Sequence, residues 1–267
     1  MSSDGLNELL LPLDERNLAY VLSAVALAAL TSRIPDARPF ESTCWWGERE
    51  FVLKTSLSEC DLFGAADEFL RSLRWIPGMG AAEHGTFVGS GEIGSNPFIS
   101  LPDDGQETSP FKTFSGQVDP EKLLTEQQGL LVGPAGSDAW LHQLARGAGS
   151  WGFDCRVGSH AYDQGFSSND EGSGALDPIY PAVELLSIAA ASFFTAVQGW
   201  QSDGSKVSYC IWAQPISLSL VSYAAAGRLD GIPARRYRVT NRGAAYGKGA
   251  AYRFFPEAVL QTKGQRQ

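Results

Sequence analysis

The spacing of apolar and polar positions changes several times along the chain, and each change predicts an element. Residues 9–13 read as a short strand. Asn17 can cap a helix over 18–30 that ends before Pro35. That helix is apolar nearly all round, so it is expected to be buried on most sides. A hairpin follows from 43–46 and 51–55, with Gly47 in the turn. Within it, Trp45 and Trp46 point to opposite faces of one strand, one ring towards a core and one towards a surface. Ser58 and Asp61 have the spacing of a capping box. The helix they open carries Leu62, Ala66, Phe69, Leu70 and Leu73 on one stripe and is expected to end near Trp75, before Pro77.

The middle of the chain is less periodic. Residues 77–110 are rich in Gly, Pro, Ser and Asp and read as a long loop or insertion, with at most short strands near Phe87 and Phe98. Residues 111–117 are strand-like. Asp119-Pro120 is a helix start, a cap followed by proline in the first turn. Ser137-Asp138 opens another helix through Trp140, Leu141, Leu144 and Ala145, ending at Gly147. A strand is expected over 153–157 and a second polar loop over 158–177.

Residues 181–197 are the clearest helix, carrying Val183, Leu185, Leu186, Ile188, Ala189, Phe193 and Phe194. Residues 207–213 alternate as a strand, 217–226 read as a helix stopped at Gly227, and 235–240 and 251–255 are the last strands. Helices and strands interleave without a regular βαβ beat. The expected fold class is therefore α+β, mixed helices with short antiparallel sheets. It is read as one unit over 1–267, divisible into an N-terminal α+β region (1–76), the insertion (77–110) and a C-terminal α+β region (111–267).

Composition narrows the function classes. With 267 residues, 43% of them apolar, the chain can bury a core and is not disordered as a whole. The stretch 18–30 falls short of the roughly 20 residues that cross a bilayer. No basic segment precedes the first apolar residues, so a cytoplasmic protein without a leader is expected. Cys44, Cys60, Cys155 and Cys210 are too scattered for a thiolate site, and His84, His142 and His160 do not complete one, so no metal and no cofactor are expected. The net charge of −9 hides an uneven distribution. Residues 228–267 hold nine basic and two acidic side chains, +7, whereas the first 227 hold 12 basic and 28 acidic, −16. A basic surface on an acidic body suits a polyanion or an acidic protein partner.

Several motifs reduce to loops. Gly89-Ser90-Gly91-Glu92-Ile93-Gly94 has dinucleotide-fingerprint spacing, but Ser95-Asn96-Pro97 stands where the helix must begin. Ala148-Gly149-Ser150-Trp151-Gly152 misses the nucleophile elbow by its first glycine. His160 with Asp163 or Cys155 lacks the rest of a catalytic constellation, and the loop carboxylates Asp103, Asp104, Asp163, Asp170 and Glu171 make a magnesium site only if they converge. Arg235-Arg236-Tyr237-Arg238 interleaves arginines with an aromatic ring, and Arg242, Tyr246 and Lys248 follow on glycine-rich backbone. Two readings stand for this segment. It either contacts phosphates and splayed bases or is an edge strand with blocking charges.

Five blocks together resemble a known family. Leu11-Pro12-Leu13-Asp14 with Arg16-Asn17 is similar to an LPxDxxNP-like strand-to-helix entry, followed by a Trp-containing hairpin as at Trp45-Trp46. Phe111-Lys112-Thr113-Phe114-Ser115-Gly116-Gln117 is similar to a "LKTWAGQ" segment. Phe153-Asp154-Cys155-Arg156 with Ala161-Tyr162-Asp163-Gln164-Gly165-Phe166-Ser167 is similar to an "fDsR…A.D.GFS" block. Tyr180-Pro181-Ala182-Val183-Glu184-Leu185-Leu186 is similar to "YPAVELLA", and Ile211-Trp212-Ala213-Gln214-Pro215-Ile216 to a "W..PLP" segment. In this order they resemble the Csb-three family of type I-U (I-G) CRISPR-Cas systems, across nearly the whole chain.

The resemblance implies a subunit of a Cascade-like, RNA-guided antiviral complex, large-subunit-like or RAMP-like, with ferredoxin-like elements in the latter case. Its implied partners are CRISPR RNA, target DNA and sister subunits; no membrane and no small-molecule substrate are expected. No catalytic residue carries over. The candidate nucleic-acid contacts are Arg235, Arg236, Arg238, Arg242, Lys248 and Lys112 as phosphate donors, and Tyr237 and Tyr246 as stacking rings. Two other readings remain open: a RAMP-type endoribonuclease with His160 as its base, and a protein-only adaptor whose arginines meet an acidic neighbour.

Overall fold

The chain enters its fold through a strand that leads directly into the most buried helix. The computed structural model describes residues 5–76, 86–88, 119–134, 136–146, 151, 153, 179–196, 206–240, 242–246, 250–254 and 258–261. The first strand, β1, is Asn7–Leu11. It lies two residues upstream of the expected 9–13, because Asn7 to Leu11 pair in register with Thr55 to Phe51. Asn17 caps α1 (Leu18–Thr31) by accepting from the Ala19 amide at 3.0 Å. Every residue of α1 except Ala29 is buried, as its all-round apolar pattern requires.

The hairpin β2 (Thr43–Trp46) and β3 (Phe51–Thr55) has the expected limits. Trp46 is 2% exposed, and Trp45 is only partly buried. The helix α2 (Glu59–Ser72) opens on the Ser58–Asp61 capping box. It stops before Trp75, three residues earlier than expected. Residues Arg74–Ile76 instead form β4, antiparallel to β5 (Thr86–Val88). The end of α2 is satisfied from outside: the Gln128 amide donates to the carbonyls of Leu70 at 2.8 Å and Leu73 at 2.9 Å. Gln128 belongs to α3 (Pro120–Gly129), which starts on the expected Asp119 cap.

The next helix, α4, covers only Ser137–Leu141. Beyond it, Ala145 and Ile179 exchange two backbone hydrogen bonds of 2.8 and 2.9 Å, which hold the chain extended where a helix was expected. Helix α5 (Pro181–Ala196) packs along α1 in the most extensive helix pairing of the fold. Its polar Ser187 hydroxyl is satisfied by the carbonyls of Val183 and Ala19, at 2.7 and 3.1 Å.

Strand β6 (Lys206–Trp212) leads to β7 (Ile216–Ser217), a 3₁₀ turn (Leu218–Leu220) and α6 (Val221–Ala225). The single helix expected over 217–226 is thus divided, because Ile216 and Ser217 pair with Cys44 and Thr43. The chain closes with β8 (Ala234–Thr240), β9 (Arg242–Tyr246), β10 (Ala250–Phe254) and β11 (Val259–Leu260). Strands β9 and β11 were not anticipated. The expected strand 111–117 and the loop 158–177 lie outside the described residues. Trp151 and Phe153 are described, buried and not in a strand.

The fold is α+β, with antiparallel sheets ordered β1-β3-β2-β7, β4-β5, β11-β8-β6 and β9-β10. The succession β1-α1-β2-β3-α2-β4, with β3 between β1 and β2, follows the element order of a ferredoxin-like unit up to α2. Strand β4 then pairs with β5 instead of joining that sheet. One cluster of buried residues runs from Leu11 to Ala258 and joins elements from both ends of the chain.

Candidate nucleic-acid interface

The basic segment folds as β8, between β6 and β11. Period-two alternation sends Tyr237 and Val239 inward, 4% and 1% exposed, and leaves Arg236 and Arg238 on the outer, exposed face. Arg235 is on the same side as Tyr237, near the exposed end of the strand.

The three arginines have different surroundings. Arg235 pairs with Glu15 at 3.4 Å. Glu15 is 8% exposed and also accepts from the Tyr237 hydroxyl at 3.3 Å, while its backbone carbonyl accepts from the Tyr209 hydroxyl at 2.8 Å. Arg238 is held by Gln261: with the amide turned so that its oxygen faces the guanidinium, that oxygen accepts at 2.8 and 3.1 Å. The Gln261 backbone amide donates to the Arg236 carbonyl at 2.8 Å. The Arg236 guanidinium has no hydrogen bond or ion pair among the described residues.

Tyr237 corrects one expectation. A ring that stacks on bases must present a face, whereas Tyr237 is buried and stacked on Tyr209, ring centroids 5.6 Å apart and 11° from parallel. Burial pushes its phenol above the ordinary value, the Glu15 carboxylate adds to the rise, and Arg235 opposes it. Tyr237 is therefore a neutral donor that fixes Glu15. Its inward position was signalled by its phase with Val239, apolar positions two apart. Glu15 and Gln261, which set how two of the arginines are held, carried no local signal.

Arg242 and Tyr246 lie at the ends of β9, opposite Phe254 and Ala250 of β10. Lys112, Lys248, His160, Asp163, Cys155 and the glycine motif at 89–94 lie outside the described residues. His142 accounts for both its ring nitrogens: Nδ1 is 2.5 Å from the Asp138 carboxylate and Nε2 2.7 Å from the Tyr20 hydroxyl. That engagement ties α4 to α1 and leaves neither nitrogen for a substrate. Burial pushes the Cys44 thiol well above its ordinary range, so it stays protonated.

Among the described residues no three metal-ligating side chains cluster, and no helix is long and apolar enough to cross a membrane. Together the described residues define an α+β protein with an arginine-bearing outer sheet face. Comparison with protein-family models, curated proteins and solved structures finds no match to the chain.

Proposed function

We propose that the chain is a non-catalytic, cytoplasmic subunit of a type I CRISPR RNA-guided surveillance complex, contacting guide RNA or target DNA through β8 and docking on sister subunits. The observation that carries this reading is the placement of Arg236 and Arg238, side by side on the exposed face of a sheet whose opposite face is core. Guanidinium groups held on a rigid strand suit successive phosphates, since ordering them beforehand lowers the entropy lost on binding. The ordered sequence blocks and the ferredoxin-like element order of β1 to α2 support the same reading. A net charge of −9 for the whole chain suits a subunit that meets nucleic acid over a limited area inside an assembly.

The test is co-purification of the tagged chain, expressed with its flanking genes and a CRISPR array. Guide-length RNA eluting with several proteins is expected, and a lone, RNA-free monomer would overturn the reading. Replacing Arg236 and Arg238 with alanine is expected to weaken RNA retention and lower its salt dependence by about two contacts. An assembly that retains RNA unchanged, with β8 against an acidic neighbour, would replace this reading by the protein-only adaptor.

A further inference from the structure

The open part of the β6–β8 outer face lies towards one end of the two strands. At the other end, α6 and the chain after it cover Cys210 and Trp212 and leave a cavity of about 180 Å³, lined also by Gly227 and Arg236. Arg238 stands on the open part, and its position is fixed there without loss of charge. The Gln261 amide oxygen accepts from Arg238 Nε at 2.8 Å and from Nη2 at 3.1 Å. An amide is neutral, so it orders the guanidinium and leaves the positive charge whole. Arg235 is the contrast, since the Glu15 carboxylate both orders and neutralises it. The cross-strand neighbours of Arg238, Val259 on β11 and Ser208 on β6, are uncharged. A guanidinium carries five N–H donors in a planar fork, and the two bonds to Gln261 occupy one edge of it. The edge between Nη1 and Nη2 is left over, and it is one that can take two phosphate oxygens side by side.

We infer that Gln261 is a positioning residue for a phosphodiester: it holds Arg238 by the Nε side so that the Nη1–Nη2 edge meets the phosphate. The inference rests on the RNA contact proposed above and names how that site is ordered. Repeated charge favours the ligand class. Arg236 and Arg238 lie two residues apart on one face of β8, and no carboxylate compensates either of them among the described residues. Two such groups in a row suit a chain of phosphates better than a single carboxylate. The ordering has a physical use. An arginine immobilised only on binding loses its rotamer freedom at that moment, whereas Arg238 is already held in the folded protein. Gln261 reaches it because β11 pairs Val259 with Arg238, and the Gln261 backbone amide is anchored on the Arg236 carbonyl at 2.8 Å.

The experiment titrates a fluorescent single-stranded RNA of mixed sequence with the full chain, alone and in its assembly, from about 50 to about 200 mM salt. Gln261→Ala is expected to weaken binding about three- to tenfold with the salt slope unchanged, since the charge remains and only its ordering is lost. Gln261→Glu brings a carboxylate to the same nitrogens and is expected to weaken binding further, lowering the slope by about one contact. In an Arg238→Lys background the fork is gone, so Gln261→Ala is expected to have no further effect. A residue that only secured β11 would weaken binding equally in both backgrounds. The bond to the Arg236 carbonyl is made by the main chain, so these substitutions leave that tie of β11 in place. Wild-type affinity in Gln261→Ala, or an equal loss in the Arg238→Lys background, overturns the inference and leaves the subunit reading standing. No RNA bound by chain or assembly overturns both.

Discussion

Replacing Gly227 with alanine tests the tightest approach in the cavity region. The residue sits at φ +71°, and its missing side chain faces the Cys210 sulfur at 2.8 Å, well inside ordinary contact. Two costs add. Holding alanine in the left-handed region costs roughly 1–2 kcal/mol. Forcing a methyl group against the sulfur of Cys210, a residue 4% exposed, adds about 1–3 kcal/mol of overpacking.

Gly231 supplies the control: its φ is +81°, and a Cβ there meets nothing within 4 Å, so Gly231→Ala carries the backbone cost alone. Urea unfolding followed by far-ultraviolet circular dichroism is expected to lower the midpoint for both, and Gly227→Ala by ~1–3 kcal/mol more. Cys210→Ala removes the obstructing sulfur. The double variant Gly227→Ala, Cys210→Ala should therefore lose less than the sum of its singles, by about 1–3 kcal/mol. Equal losses at the two glycines, or strict additivity in the double variant, would refute the close approach.

Other expectations follow from single contacts. Ser58→Ala or Asp119→Ala should each cost about 1 kcal/mol in chemical unfolding, since each removes a helix cap seen at α2 or α3. Trp212→Phe should cost roughly 0.5–1.5 kcal/mol, because it removes the buried hydrogen bond that the indole N–H donates to the Cys44 carbonyl at 3.1 Å. Tyr237 is raised in the folded protein by burial first and Glu15 second, so the unfolded chain releases this proton at lower pH. Its contribution to stability is complete below the unfolded value near 10 and falls as pH climbs from there through the folded value. A series of unfolding midpoints from pH 9 upward should fall less steeply for Tyr237→Phe than for the wild type; identical slopes would contradict the buried placement.

The features of the structure legible in the sequence are those held by neighbours along the chain. Asn17 and Ala19, Ser58 and Asp61, and Asp119 and Glu121 lie two or three residues apart, so their caps could be read directly. The β2–β3 hairpin closes over a four-residue connection, and its alternation already put Trp45 and Trp46 on opposite faces; the fold made Trp46 the inward one. The helices α1 and α5 followed from continuous apolar periodicity, and the basic character of β8 was plain from its residues.

What the tertiary structure alone decided involves partners far apart in sequence. Gln128 closes the end of α2, 55 residues from Leu73. Ser217 is taken from an expected helix by β2, and Ala145 by Ile179. Glu15 meets Tyr237 across 222 positions and draws in Arg235, while Gln261 orders Arg238. The sequence therefore determined that a basic strand exists, but only the fold decided that Arg236 stands beside a cavity without a partner among the described residues. The physical reason is that a side chain's charge is its own, whereas its burial and partners belong to whatever packs against it.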